Sequence, residues 1–220
     1  MASAEPSRAV APRRARPARV LPPTTVVLPG DEPTAAALIA AAVAVMAVHG
    51  YHGTSVRDIA AAAGTSPAVL YHHFASKHGL LATILDRGVD VLVRATEEAL
   101  YAAPDDPVAR LEAIVGVHVR VHMESQRESL LGNSELRAPE SRALVVAKRD
   151  AQQRMFDRVV HDGVRRGVFH TPYPTDAARV ITTACTAVAA WYRANGPLPA
   201  GEIISRYRRV ALDTAGYVAS

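Results

Sequence analysis

The segment GYHGTSVRDIAAAAGTSPAVLYHHFASKHGLL, residues 50–81, is the part of the chain that most restricts its fold. Ser55 can cap a helix over Val56–Ala63, and Gly64 follows where the end of a helix needs a left-handed residue. Ser66 can then cap a second helix. Two short capped helices around a single glycine are typical of the helix-turn-helix that enters the DNA major groove.

The second of these helices, Ser66–Phe74, has the spacing that a DNA-reading helix needs. Ala60 is small where the two helices must cross, and Leu70 is an apolar anchor toward the core. Tyr71 and His72 follow this anchor directly, so they should point outward, where they can donate hydrogen bonds to DNA phosphates. The segment therefore predicts a surface that binds duplex DNA.

At TSVRDIAAAAGTSPAVLYHHFASKHGLL the chain resembles the TetR family of transcriptional regulators, over about residues 33–85. The shared features are a Thr-Ser opening, the glycine of the turn, a Leu-Tyr-x-x-Phe run and a Ser-Lys pair before two apolar residues. The resemblance implies a three-helix DNA-binding domain, followed by a C-terminal helical bundle that binds an effector and forms a dimer.

The resemblance also implies which residues contact DNA. Phosphate contacts are expected from Thr54, Ser55, Tyr71, His72 and Lys77. Positions near base edges are expected for Thr65, Ser66, Pro67, Ala68 and Val69. The last three depart from the family, since many relatives carry a basic residue, a glycine and a threonine there. Because Pro67 has no donor and Val69 offers only methyl contact, base readout should be unusually apolar.

Charge is distributed unevenly along the chain. Residues 1–30 hold five arginines against one glutamate, which gives +4, and the whole chain is also +4. Residues 31–80 carry two basic and three acidic side chains, so the predicted DNA-binding domain is slightly acidic. The charge of this domain therefore gives little support for DNA binding. Affinity for DNA normally depends mainly on basic side chains that neutralise phosphates. Helix N-termini and the five histidines of this region can compensate.

No segment has the alternation of a β-strand, so the sequence predicts an all-α fold of about nine helices. We expect a disordered basic arm over 1–32, the helix-turn-helix domain over 33–80, and an effector-binding and dimerisation domain over 81–220. With 49% hydrophobic residues, the chain can bury one large core or two small ones. A single cysteine fits a reducing cytoplasm, and no apolar run approaches the ~20 residues of a membrane span.

The arginine-rich start of the chain has two interpretations. Basic arms in other folds lie along phosphates or enter the minor groove, which would add to DNA affinity. Alternatively, the segment is a solvated tail, or the start codon is set too early. The sequence alone leaves these interpretations open.

His118 and His122 form an i, i+4 pair in HVRVH, on the same helical face as Leu111 and Ile114. An inward pair at this spacing is half of a metal site, but no third ligand with clear spacing follows. The pair can equally be polar groups of a ligand pocket, or core histidines with local hydrogen bonds. We expect no bound metal and no cofactor.

A second resemblance, over Ala189–Leu212, is to TetR-family regulators of steroid catabolism that respond to coenzyme A thioesters. It implies an effector pocket between the middle helices. The residues assigned to this pocket are His118, His122, Asn133, Arg137, Trp191 and Arg193. The alternative is that Asn133, Arg137, Trp191 and Arg193 cap and clamp helices, with Trp191 buried in the core.

The last two helices carry small and apolar residues that suggest close helix approach. In the TetR family these helices pair across a two-fold axis as a four-helix interface, which implies a homodimer here. The residues assigned to the interface are Ala184, Ala187, Ile203, Tyr207 and Val210. The alternative is that both helices only complete the core of one protomer.

Together these patterns predict a cytoplasmic, ligand-responsive transcriptional regulator. The resemblance implies a repressor that is released from a palindromic double-stranded DNA operator by a small apolar or amphipathic effector, such as an acyl-CoA thioester. One alternative is a helical effector-binding dimer without operator binding, and another is a histidine-based metalloenzyme. The sequence has no glycine-rich phosphate loop and no Gly-x-Ser-x-Gly motif, so we expect no enzyme activity and no membrane partner.

Overall fold

The structure, a computed structural model, describes residues 24–131 and 139–219. Within these residues the chain folds into nine α-helices and no strand, so the all-α prediction is confirmed. None of these helices combines the length and the apolar character that crossing a membrane requires. The helices are α1 (Pro33–His49), α2 (Val56–Ala62), α3 (Pro67–Phe74), α4 (Lys77–Ala102), α5 (Pro107–Glu124), α6 (Gln126–Leu130), α7 (Pro139–Arg165), α8 (Pro174–Trp191) and α9 (Ala200–Thr214).

Capping residues and prolines mark the first turn of several of these helices. Glu32 caps α1 by accepting a hydrogen bond from the Ala35 amide at 2.9 Å. Ser76 caps α4 in the same way, through the Gly79 amide at 2.9 Å. Prolines occupy the first turn of α1, α3, α5 and α8, where a missing N–H leaves no hydrogen bond unmade. The helix starts are therefore encoded locally.

Two apolar cores lie along the molecule and share α4. The first core joins α1, α2 and α3 to the beginning of α4, and includes the fully buried Ile59 and Leu70. It extends along α4 as far as Val89, past residue 80. The second core joins α5, α7, α8 and α9 around Phe156, and Leu100 near the end of α4 packs against it. One helix thus belongs to both halves of the molecule.

Residues 24–32 are folded, although the predicted disordered arm covers residues 1–32. Val26 is fully buried in the first core. Arg87 on α4 donates two hydrogen bonds to the Asp31 carboxylate, at 2.7 and 3.0 Å. The segment therefore belongs to the folded body, because it contributes an apolar side chain and an ion pair. The arginines that give the arm its charge lie outside the described residues.

The C-terminal domain is built around α5, which contacts α4, α7, α8 and α9. α7 ends against the loop that leads to α8, and a Cβ atom at Gly163 would overlap the Phe169 ring. Only glycine fits at this close approach. Cys185 on α8 is buried in the same core, and burial raises the pKa of its thiol to about 12.

Candidate DNA-reading helix and effector cavity

A reciprocal cap fixes the start of α2. The Ser55 amide donates to the Asp58 carboxylate at 2.8 Å, and the Asp58 amide donates to the Ser55 hydroxyl oxygen at 3.2 Å. The Ser55 hydroxyl also donates to this carboxylate, which lowers the pKa of Asp58. Gly64 then turns the chain with φ of 70°, a value that glycine adopts without strain. The predicted capped helix and its glycine turn are confirmed.

One fully buried side chain anchors α3, and three of its other residues are exposed. Leu70 is fully buried, as expected for the apolar anchor, and Tyr71 is 53% exposed. The other exposed residues that were assigned to DNA contact here are Ser66, Ala68 and His72. The half-buried ones are Thr65, Pro67 and Val69. α3 therefore presents small, aromatic and imidazole side chains to the solvent.

The N-terminus of α3 lacks a side-chain cap. Ser66 has the extended backbone of a capping residue, but its hydroxyl makes no cap hydrogen bond, contrary to the prediction. The first turn of α3 is therefore open to an external acceptor. The positive end of a helix binds phosphate oxygens without any formal charge, which suits a domain that carries few basic residues.

Thr54 and Lys77 stabilise the helix-turn-helix from within. Thr54 is 2% exposed, and its hydroxyl donates to the Gly50 carbonyl oxygen at 2.7 Å. The Lys77 ammonium donates to the carbonyl oxygens of Tyr51 and Thr54 at 2.7 and 2.6 Å. It also lies 4.1 Å from the centre of the Tyr51 ring. Both side chains thus stabilise the loop after α1, because carbonyl groups beyond a helix end need donors.

A cavity of about 580 Å³ opens between α4, α5, α6, α7 and α8. This volume lies within the roughly 300–1,000 Å³ of pockets that hold small molecules. The apolar lining from α4 consists of Ile84, Leu85, Val89 and Leu92. The larger polar side chains of the lining include His118, His122, Glu128, Arg149 and Gln152. The structure therefore brings the two predicted histidines into one cavity.

His118 makes hydrogen bonds through both ring nitrogens. Its Nε2 lies 3.0 Å from the Thr186 hydroxyl, which itself donates to the Thr182 carbonyl oxygen and so accepts from His118. Its Nδ1 lies 3.3 Å from the Gln152 amide nitrogen, which acts as the donor. Burial, followed by repulsion from His122, holds the pKa of His118 well below its usual value.

His122 keeps one ring nitrogen without a partner. Its Nδ1 lies 3.0 Å from the Ser129 hydroxyl, whereas its Nε2 is buried and has no hydrogen-bond partner among the described residues. Burial, followed by the positive charge of Arg149, lowers the pKa of His122 to about 4. In the described part of the chain, no group of three or more potential ligand side chains is placed to hold a metal ion.

Two other residues assigned to the pocket, Asn133 and Arg137, lie outside the described residues. The remaining two, Trp191 and Arg193, do not line this cavity. Trp191 is 47% exposed and stacks on Tyr207, with 6.3 Å between ring centres. Arg193 is exposed and donates to a neighbouring backbone carbonyl. The assignment of Trp191 and Arg193 to the pocket is therefore wrong, because the lining of α8 ends one turn earlier, at Ala187.

Several polar residues of the cavity were not among the sequence candidates. The ones that matter most for binding are Glu128, Arg149 and Gln152. Arg149 and Gln152 lie on α7 seven and four residues before the buried Phe156, so a helical projection centred on Phe156 places them inward. Glu128 has no comparable signal, because α6 is only five residues long.

The residues assigned to dimerisation divide between an exposed face and the core. Those that reach the surface, fully or in part, are Ala184, Ala187, Tyr207 and Val210. Ile203 is only 3% exposed and packs in the second core, so its assignment to the interface is wrong: at this position α9 faces the rest of its own protomer. Val180 and Trp191 extend the exposed apolar stripe along α8 at helical spacing.

An exposed helix after a glycine turn, joined to a domain with a ligand-sized cavity, defines a DNA-binding regulator of the helix-turn-helix class. Residues 38–84 match the family described as bacterial regulatory proteins, tetR family. Residues 104–215 match the family described as tetracyclin repressor-like, C-terminal domain. The chain belongs to the TetR family of bacterial regulatory proteins. It is a DNA-binding transcriptional regulator and not an enzyme.

Individual relatives agree with this assignment. The transcriptional repressor KstR2 of Mycobacterium tuberculosis is 30% identical over 179 residues, which cover 80% of this chain and 89% of the relative. A tetR-family regulatory protein from Rhodococcus RHA1 is 31% identical, with a TM-score of 0.79 over 84% of this chain and 98% of its own. AibR, solved with isovaleryl coenzyme A and operator DNA, shares the fold at 23% identity, with a TM-score of 0.74 over 85% of this chain and all of its own.

Replacing Lys77 tests whether it stabilises the fold or binds a phosphate. We expect Lys77→Met to lower the free energy of unfolding by about 2 kcal/mol, because two charge-assisted hydrogen bonds are lost. The slope of log K against log salt for DNA binding should stay unchanged. A lost phosphate contact would instead reduce that slope by about 1. The control Arg57→Met, at an exposed site on α2, should change stability by less than about 0.5 kcal/mol.

The pKa of His122 predicts a loss of stability in mild acid. Its folded pKa of about 4 lies below the unfolded value of 6.5, so the unfolded chain binds a proton first as the pH falls. Stability is full above pH 6.5 and should decrease by up to about 3 kcal/mol between pH 6.5 and 4 through this one group. Urea denaturation at pH 7.5, 5.5 and 4.5 measures it. His122→Gln should make the profile less steep, although His118, whose pKa is also lowered, keeps part of the slope, and His170→Gln, at an exposed site, should leave the profile unchanged.

Proposed function

We propose that the protein is a cytoplasmic homodimer that represses transcription from a palindromic operator and leaves it when a small apolar or amphipathic effector fills the cavity. The observation that carries the proposal is the course of α4. This single helix is buried against the helix-turn-helix at one end and lines the cavity further along. Any change of the cavity that moves α4 therefore moves α3 as well.

The proposed DNA contact uses α3 in the major groove and α2 across the backbone. Tyr71 and His72 are exposed donors for phosphates, and the uncapped first turn of α3 supplies a further phosphate site. Ala68 is exposed near the start of α3 and would face base edges. With so few polar side chains at this surface, apolar contacts such as those to thymine methyl groups would carry much of the base readout.

A second route couples the cavity to the N-terminal domain through α6. The Thr24 hydroxyl and the Thr25 amide both donate to the carboxylate of Glu128, which lines the cavity. Leu131, directly after α6, is 5% exposed and packs in the first core. An effector that displaces α6 would thus disturb the packing under the helix-turn-helix. Couplings between sites are typically worth ~1–3 kcal/mol.

Acyl-CoA thioesters are a narrower class of effector within this proposal. AibR, which has the same fold, was solved with isovaleryl coenzyme A, so acyl-CoA thioesters are one class to test. The apolar lining from α4 suits an acyl chain or another apolar body. The proposal includes no cofactor, no metal and no membrane partner.

The exposed stripe on α8 supports the proposed homodimer. Val180 and Val210 are 57% and 56% exposed, and both belong to the last two helices. An isologous interface of this kind would place two copies of α3 on the same side of the dimer, to read half-sites about one DNA turn apart. Large apolar side chains grouped at the surface are typical of such interfaces.

Operator binding is tested with a charge placed on α3. We expect Ala68→Glu to weaken binding to the protein's own upstream DNA by more than tenfold, because a carboxylate would enter the groove beside phosphates. Mobility-shift titration measures the affinity. Ala147→Glu, at an exposed site on α7, introduces the same charge elsewhere and should leave affinity within about twofold. If the unaltered protein binds no upstream DNA, the alternative of an effector-binding dimer without an operator replaces the repressor.

The dimer surface is tested with a matched pair of exposed apolar residues. We expect Val180→Glu to convert the dimer into monomers in sedimentation experiments, because the carboxylate would be buried without a partner. Tyr101→Glu, at a side chain that is 94% exposed at the end of α4, should remain dimeric. Equal sedimentation of both variants as dimers would place the interface elsewhere.

A further inference from the structure

The cavity contains a buried acceptor that the protein leaves unused. Gln152 is 3% exposed, and its amide nitrogen donates to the Thr96 hydroxyl at 2.8 Å and lies 3.3 Å from Nδ1 of His118. The Thr96 hydroxyl donates to the Leu92 carbonyl oxygen, which fixes the amide in this orientation. The amide oxygen of Gln152 has no hydrogen-bond partner among the described residues. A buried acceptor of this kind is rare without a ligand or water.

Next to this acceptor the cavity holds a partly buried cation. Arg149 lines the cavity one helical turn before Gln152, and burial lowers the pKa of its guanidinium. Arg149 forms no ion pair within the described residues. Two carboxylates also line the cavity: Glu128 is occupied by hydrogen bonds from the N-terminal segment, and Asp150 is exposed. Neither neutralises Arg149.

The two groups are close to one another and lie across from an apolar wall. On a helix, residues three apart have Cβ atoms about 5–6 Å apart. A ligand that reaches both Arg149 and Gln152 would therefore carry its two polar groups within a few bonds of each other. The apolar side chains of α4, Leu85 and Val89 among them, leave the rest of the cavity for a hydrocarbon body.

We propose that the effector is an amphipathic oxyanion with a hydroxyl or amide donor a few bonds from its anionic group. The carboxylate or phosphate pairs with Arg149, the donor hydrogen-bonds to the amide oxygen of Gln152, and the hydrocarbon body lies against α4. This inference rests on the proposed function, because it names the chemistry of the same effector cavity. The oxyanion is the carboxylate of a free hydroxy acid, or a phosphate of a coenzyme A thioester, in which the nearby donor is the hydroxyl of the pantoyl group and not that of the acyl chain.

Calorimetry with the full chain separates these chemistries. The probes are 3-hydroxydodecanoic acid, its methyl ester, dodecanoic acid and 3-hydroxydodecanoyl coenzyme A. We expect an anionic hydroxylated probe to bind at least tenfold more tightly than the methyl ester. Binding by the free acid identifies a carboxylate, and binding by the thioester alone identifies a phosphate. Failure of every anionic probe to bind, or equal affinity for acid and ester together with no binding of the thioester, overturns the proposal.

Variants on α7 assign the two contacts. Arg149→Met should weaken the anionic probe at least tenfold without changing affinity for the ester, and Arg149→Lys should retain most of the binding. Gln152→Met should make the hydroxylated and plain acids bind equally. The exposed Arg154→Met on the same helix is the control and should match the unaltered protein. An Arg149→Met protein that is folded by circular dichroism and binds the anion unchanged contradicts the proposal.

Mobility shifts without any probe keep the two hypotheses apart. Operator binding with no response to an oxyanion removes only the effector chemistry. Oxyanion binding without operator binding removes the repressor function and leaves the cavity assignment in place.

Discussion

The unbroken course of α4 is the constraint on which the rest of this molecule depends. The helix has 26 residues, and at 1.5 Å per residue it spans about 39 Å. Leu80 and Leu81 are buried under the helix-turn-helix, whereas Leu92 lines the cavity. Lys148 on α7 forms ion pairs with two carboxylates of α4, and these ion pairs connect two helices that both line the cavity. Packed helices shift as rigid bodies, so we expect a displacement of α4 at the cavity to reach the helix-turn-helix.

The sequence predicted most of the structure that depends on neighbouring residues, and the missing cap at Ser66 is an exception. Ser55, Gly64 and Leu70 predict the helix-turn-helix because a capping serine, a left-handed glycine and an apolar anchor each act within one or two turns. The inward face of His118 and His122 followed from helical periodicity alone. The all-α class and the approximate number of helices came from the same short-range signals.

Contacts between distant segments were beyond the reach of sequence patterns. Lys77 looked like a phosphate ligand, yet two carbonyl groups of the loop after α1, 23 and 26 residues earlier, hold its ammonium. Thr24 and Glu128 are 104 residues apart, and no periodic pattern in the sequence predicts their hydrogen bond. Trp191 was assigned to a pocket because its neighbourhood resembled one, but the end of α8 turns it toward the surface. Such positions depend on how helices cross, which is set by the whole core.

The buried thiol of Cys185 limits the kinds of stimulus to which this regulator can respond. Burial raises the pKa of this thiol to about 12, so the thiol form dominates at pH 7, whereas the thiolate is the species that peroxides and electrophiles attack. Cys185 is also the single cysteine of the chain, so no second thiol could trap an oxidised form as an intramolecular disulfide. An intramolecular disulfide therefore cannot make this protein responsive to oxidation.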